Sequence, residues 1–256
     1  MDIVLIGSGN VATHLGGALA GAGHRIVQVY SRTAAHATAL AGTLGAGATT
    51  DPTTIDIHAD VYILAVKDDA IAAVAAQLPA GLKGTVVHTA GSVGMDVLNG
   101  HAEACGVLYP LQTFSKAKPV DFSVIPVAVE ASDDTALAGL ETLAGSVSGR
   151  VFRCDSRQRL SLHVAAVFAC NFTNHFYAIA ADMLGEHGLD FDLIRPLIFE
   201  TAQKVMEHRP ADVQTGPAVR HDVRTMEKHL ELLRDHPALA GLYELISRRI
   251  GNHPSG

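Results

Sequence analysis

The chain is poor in cysteine, lacks any cluster of basic residues and shows no convincing strand after residue 154. Its three cysteines, Cys105, Cys154 and Cys170, are an odd number, lie far apart and form no CxxC pair. That pattern argues for free thiols in a reducing compartment rather than a disulfide framework. Acidic residues outnumber basic ones, 26 to 19, for a formal charge of −7. With no basic run to offset this, a nucleic-acid partner is not expected. The opening MDIVLIGSGN goes straight into a strand and a glycine turn, without the basic and apolar segments of a signal peptide. No stretch is expected to approach an uncharged apolar span of roughly 20 residues, so no membrane crossing is expected. There is no HExxH or comparable ligand spacing, so metal binding is not expected either. What remains is a cytoplasmic globular protein of 256 residues, 48% hydrophobic and 18% charged. That is enough chain for one large or two modest domains.

The first part alternates short β-rich runs with helical patterns. Strands are expected at 2–6, 25–30, 61–66, 84–88, 106–109 and 125–130, with a further one at 150–152. Helices are expected near 10–22, 33–44, 68–78, 93–103 and 133–146. Continuous apolar strands separated by helices read as a parallel sheet covered on both faces. From Asp155 onward only helical periodicity is found. Asp155 or Ser156 can cap a first helix, with Gln158 placed to reach back to the cap. That helix can run to Gly185 or Gly188 without an internal Pro or Gly, and further helices follow at about 190–208, 222–235 and 237–250. The expected division is 1–154 and 155–256.

The segment LIGSGNVATHLG places Gly7, Gly9 and Ala12 directly after the first strand. The first glycine permits a tight turn, the second lets the backbone approach a pyrophosphate, and the small third residue lets the helix pack closely on the strand. Phosphates would sit on the helix N-terminus, at Ser8, Asn10 and Val11. The second strand ends VYSRT, without the acidic residue that usually binds the ribose of NAD. Ser31, Arg32 and Thr33 instead offer a cation and two hydroxyls, which suits the 2′-phosphate of NADP(H). Loops after later strands should line the nicotinamide half: Ala65, Val66 and Lys67, then His88, Thr89, Ala90, Gly91 and Ser92. GVLYPLQTFS puts Tyr109, Gln112 and Thr113 where the sheet meets the helical part. For each of these polar residues a structural role competes with ligand contact.

With SRT and LAVK after the glycine turn, the first domain resembles the NADP-binding domain of the pyrroline-5-carboxylate reductase and deazaflavin-dependent NADP oxidoreductase superfamily. VVHTAGS, YPLQTF, LHVAAVFACNFTNH and TGPAVRHD followed by KHLELL resemble, in order, bacterial Rossmann-like proteins with a helical C-terminal domain of unknown function. That helical domain is similar to the dimerising domain of 6-phosphogluconate dehydrogenase-type enzymes. The resemblance implies an α/β fold with a doubly wound, mostly parallel Rossmann sheet followed by an all-α domain. It also implies an NADP-dependent oxidoreductase, and the long helix and the lack of a large second core point to a homodimer through the helical domain. It carries no substrate. β-Hydroxyacid dehydrogenases have a catalytic lysine on the first helix of the second domain, whereas this helix offers His163 and Asn171. Prephenate dehydrogenases have His-Pro where this chain has Tyr109–Pro110, and pyrroline-5-carboxylate reductases have VKP where it has VKDD.

The helix LHVAAVFACNFTNHFY is apolar yet carries His163, Asn171, Asn174 and His175. At about 100° per residue, with His163 at zero, Asn171 falls near 80° and Asn174 near 20°. The stripe could tie helices together or bond across a dimer interface. Alternatively it faces the nicotinamide, where His163 would protonate a C=N or C=O as hydride arrives, with Asn171 and Asn174 orienting substrate. Tyr109 is a second candidate for the acid and Gln112 for substrate binding. Arg220 could hold a substrate carboxylate or pair structurally with Asp222. The expected activity is hydride transfer between NADP(H) and a small carbonyl, imine or hydroxy compound bound between the domains. The competing expectation is a non-catalytic NADP(H)-binding sensor or scaffold.

Overall fold

A computed structural model gives the fold and describes residues 1–252. Eight strands form one sheet in the order β3-β2-β1-β4-β5-β6-β7-β8. They are β1 (Asp2–Ile6), β2 (Arg25–Tyr30), β3 (Gly47–Thr49), β4 (Val61–Leu64), β5 (Thr85–His88), β6 (Cys105–Pro110), β7 (Val127–Ala131) and β8 (Val151–Arg153). The first six are parallel, and β7 and β8 run the opposite way. The order of the first six is that of a dinucleotide-binding sheet, with its topological switch between β1 and β4.

Both faces of the sheet are covered, which is why its strands read as unbroken apolar runs. Side chains alternate across the sheet. Ile3 and Leu5 of β1 join Leu15 and Leu19 of α1 (Asn10–Gly21), Leu40 of α2 (Ala34–Leu44) and Leu140 and Leu143 of α4 (Asp134–Gly145). Val4 and Ile6 join Tyr62, Leu64, Leu98 and the short α3 (Ile71–Ala75) on the other face. α1 lies close on β1 because its contact positions are small: Ala12 is buried, and a Cβ on Gly16 would stand 2.6 Å from Leu5 Cδ1.

Two elements depart from expectation. β3 is three residues, Gly-Ala-Thr, too short and too poor in β-branched residues to stand out. The helix expected over 93–103 is only a 3-10 turn, Met95–Leu98, bracketed by Gly94 and by Gly100 with its positive φ of 80°.

After β8, the Asp155–Gln158 capping box forms in both directions and starts a continuous helical run, Ser156–Glu186. It comprises α5 (Ser156–Ala166), a π-helical segment (Val167–Phe172) and α6 (Thr173–Glu186). α7 (Arg195–Glu207), α8 (Val223–Leu232) and α9 (Pro237–Gly251) follow. Strands give way to helices at Asp155, but the chain divides into compact units between His175 and Phe176. α5 belongs with the sheet because Arg159 fastens it there, as described below.

The expectation of no long apolar span needs correcting. Residues 160–181 contain no Asp, Glu, Lys or Arg, and the Ser156–Glu186 helix is long and apolar enough, by length and composition, to cross a membrane. Within the second unit, α6, α8 and α9 enclose a cavity of about 610 Å³ with mostly apolar walls, among them Ile179, Met183, Leu239 and Ile246. On its wall, His229 Nδ1 lies 2.8 Å from the Tyr243 hydroxyl.

Candidate active site

β1 runs into Gly7, whose φ of +118° excludes an L side chain. A Cβ there would also stand 2.4 Å from the Ala65 carbonyl oxygen, so the turn presses directly on the end of β4. Gly9 caps α1 with no side-chain acceptor, and no acidic residue occupies the first turn. Nothing lies within 4 Å of where a Gly9 Cβ would be. The N–H groups of Asn10, Val11 and Ala12 have no acceptor among the described residues, a cradle suited to an anionic ligand. At the end of β2 the Ser31 hydroxyl is 2.9 Å from that of Ser8, joining the two strand ends that meet a dinucleotide. Arg32 and Thr33 are exposed beside it. Arg32 makes no ion pair among the described residues. These residues fit a phosphorylated dinucleotide: turn and helix for the pyrophosphate, and a free guanidinium with hydroxyls for a 2′-phosphate.

Further along the same edge, Ala65 follows β4 and its N–H donates to Ile6 O (2.8 Å). Val66 is half-buried and Lys67 exposed. Thr89, just past β5, is buried, and its N–H donates to Leu64 O. Tyr109, near the end of β6, is buried, and its hydroxyl lies 3.2 Å from Nδ1 of half-buried His163 on α5. The rings meet edge to face at 6.3 Å. Gly91 is wedged against both: a Cβ would be 2.6 Å from His163 Nδ1 and 2.9 Å from Tyr109 Cζ. Burial, and secondarily the Asp68 carboxylate, push the Tyr109 phenol above its ordinary pKa, with Arg159 opposing weakly. The phenol thus keeps its proton and can serve as a donor.

Residues 2–90 match the family described as NADP oxidoreductase, coenzyme F420-dependent, and residues 125–250 match the domain of unknown function DUF2520. Over 98% of each chain, this protein is 49% identical to a solved "putative NADP oxidoreductase" from Bacteroides fragilis, with a TM-score of 0.91. The chain belongs to this NADP oxidoreductase family. The fold is shared with a Thermotoga maritima protein at 23% identity and TM-score 0.79, covering 97% of this chain and 99% of that one. It is also shared with a reductive aminase from Aspergillus terreus solved with NADPH and ethyl levulinate, at 16% identity and TM-score 0.74, covering 100% and 95%. No curated protein matches the chain.

In this NADP oxidoreductase the tyrosine–histidine pair is held by a buried cluster that sequence reasoning missed. Arg159 has no exposed surface. It pairs with Glu130 at the end of β7 and donates to Ala90 O (3.2 Å), Val93 O (2.6 Å) and Ser156 Oγ (3.2 Å). Ser156 donates to Glu130 Oε2 at 2.9 Å and accepts from Met95 N–H at 3.1 Å. The loop carrying Gly91 is thereby tied to the helix carrying His163, which sits one turn beyond Arg159. Buried His88 closes the same loop: its Nδ1 accepts from Ala90 N–H (3.2 Å) and its Nε2–H donates to Gly94 O (3.3 Å). Burial first, and then the Arg159 charge, push the His88 imidazole down to about 4, so it stays neutral. The available signals were an arginine one turn before His163 and the glutamate closing VAVE.

The polar stripe does not survive intact. The π segment adds one residue to its turn, so residues 173–175 just beyond it are rotated by roughly 100° relative to His163. Asn174 therefore leaves the sector it would share with His163 on a regular helix. Asn171 lies within the π segment, and both asparagines and His175 are exposed. Gln112 is exposed and its Oε1 accepts from its neighbour Thr113 N–H. In the second unit, Asp222 caps α8 by accepting from Thr225 rather than pairing with Arg220, which is exposed and has no ion pair among the described residues. No group of metal-ligating side chains occurs among the described residues.

Proposed function

We propose that the protein reduces, or in reverse oxidises, a small carbonyl, imine or hydroxy compound, using NADP(H) bound at the Gly7–Val11 turn with Ser31, Arg32 and Thr33 on the 2′-phosphate. The observation that carries this reading is the Tyr109–His163 contact, held against Gly91 at the carboxyl edge of the same parallel sheet that bears the glycine turn. When bound, the cofactor supplies or accepts the hydride. Tyr109 gives its proton to the substrate heteroatom, and His163, half-exposed and able to exchange with water, replaces it. Gly91 and Thr89 shape the floor of the site. Gln112 and Asn171 are the exposed polar groups of the first unit assigned to substrate.

The helical part pairs with a second copy of the chain. Among residues 176–252 only Ala218 and Leu233 are buried apolar residues, while Leu197, Phe199 and Met206 are 65%, 69% and 84% exposed. So much exposed apolar surface calls for a protein cover. The apolar length of the Ser156–Glu186 helix is assigned to that cover, not to lipid, and three free thiols fit a cytoplasmic setting.

The test is direct. NADPH should raise the melting temperature more than NADH does, and NADPH oxidation should appear with some member of a panel of small carbonyls and imines. Tight NADPH binding with no turnover across the panel would favour a sensor or scaffold. A monomer by size-exclusion chromatography at micromolar concentration would contradict the dimer.

A further inference from the structure

The connection between β6 and β7 turns back toward the glycine turn. β6 lies three positions from β1 in the sheet, a distance of roughly 14 Å. The connection nonetheless bonds to α1 and its turn at three points. Asn10 Nδ2 donates to Phe114 O (2.8 Å), His14 Nε2 lies 2.9 Å from Ser115 O, and Lys116 Nζ donates to Ser8 O (2.9 Å). The Phe114 ring stacks between His14 (5.4 Å) and Phe122 (5.9 Å), which fixes the segment on the core face that α1 covers.

The charge on Lys116 has no partner. It makes no ion pair among the described residues, and the Ser8 carbonyl engages only one of its three N–H donors. An exposed lysine with nothing to neutralise would ordinarily extend into water. This one is held on the middle residue of Gly7-Ser8-Gly9, at the start of a helix whose first N–H groups have no acceptor among the described residues. The turn itself carries no basic residue, whereas a dinucleotide brings two pyrophosphate charges to it.

We propose that Lys116 is a pyrophosphate-binding residue of the cofactor site, delivered across the sheet edge by the β6–β7 connection, so that this connection clamps the bound dinucleotide. The inference rests on the NADP(H) reading given above. Arg32 and Lys116 would then divide the cofactor between them, one taking the 2′-phosphate and the other the pyrophosphate.

The experiment compares wild type, Lys116→Met, Lys116→Gln and Arg32→Met by fluorescence titration with NADPH and calorimetric titration with 2′-phospho-ADP-ribose and 2′-AMP. Lys116→Met should weaken NADPH and 2′-phospho-ADP-ribose by about tenfold to thirtyfold and leave 2′-AMP unchanged. Arg32→Met should weaken all three. Lys116→Gln keeps an N–H donor on a side chain one bond shorter but carries no charge, so it should behave like Lys116→Met and flatten the salt dependence of NADPH affinity. Wild-type affinity in Lys116→Met would overturn the inference, as would full retention in Lys116→Gln, which would leave only a structural bond to Ser8. An equal loss for 2′-AMP would reassign Lys116 to the 2′-phosphate and overturn it too. If wild type itself fails to bind NADPH, the cofactor reading falls and this inference falls with it.

Discussion

The hydroxyl of Tyr109 lies 3.2 Å from Nδ1 of His163, although 54 residues separate them in the chain. Burial holds the phenol in its protonated form, and the half-exposed imidazole connects it to water. If they act as one proton-transfer unit, Tyr109→Phe and His163→Gln should each lower turnover about 100-fold or more. The double variant should be little worse than the poorer single one. NADPH affinity should stay at the wild-type value in all three. Additive losses in steady-state kinetics would show that the two side chains act separately.

Gly91 should not tolerate a side chain. Its Cβ would fall 2.6 Å from His163 Nδ1 and 2.9 Å from Tyr109 Cζ, so either the ring or the loop must shift. Gly91→Ala is expected to cut kcat by about 100-fold through misplacement of the pair, with the protein still folded and binding NADPH. Unaltered kinetics in Gly91→Ala would mean that the pair's geometry does not matter.

Arg159 should be among the costliest surface-free positions to alter. Its guanidinium is buried with Glu130 as partner, so Arg159→Met leaves a largely buried carboxylate without its cation and with only the Ser156 hydroxyl donating to it. The expected loss is about 3–5 kcal/mol in urea unfolding. Arg159→Met combined with Glu130→Gln should be less damaging than Arg159→Met alone, because no unpaired charge remains. A loss below about 1 kcal/mol for the single variant would contradict the burial argument.

His88 makes stability depend on pH. Its folded pKa of about 4 lies below the ordinary 6.5, so between these values the unfolded chain binds a proton that the folded chain refuses. Stability therefore falls as pH drops from 6.5 to 4, by about 3 kcal/mol in all from this group. Above 6.5 the contribution is flat. Unfolding titrations across this window should show the slope, and His88→Asn should flatten it. A wild-type profile without slope between pH 6.5 and 4 would mean that His88 is protonated in the folded state.

What was legible in the sequence was local. Gly7, Gly9 and Ala12 announce a tight turn and a closely packed helix because each requirement is met within a few residues. Asp155 and Gln158 announce the helix start because both hydrogen bonds of the box lie within four residues. The apolar strands declare a sheet covered on both faces. Local reasoning failed where its own signals were weak or overridden. Gly94 and Gly100 stop the helix expected at 93–103, and the π segment at Val167–Phe172 rotates Asn174 away from His163.

The sequence by itself determined the dinucleotide turn, the strand-to-helix change at Asp155 and the set of residues able to do acid chemistry. Only the tertiary structure decided which of these meet. Tyr109 with His163, Arg159 with Glu130 and Lys116 with Ser8 are pairs 54, 29 and 108 residues apart. No periodicity or spacing reports such pairs, because they form only once the sheet has brought its strand ends to one edge. Burial then does the rest, since a charge or hydroxyl removed from water must find its partner wherever the fold has placed one.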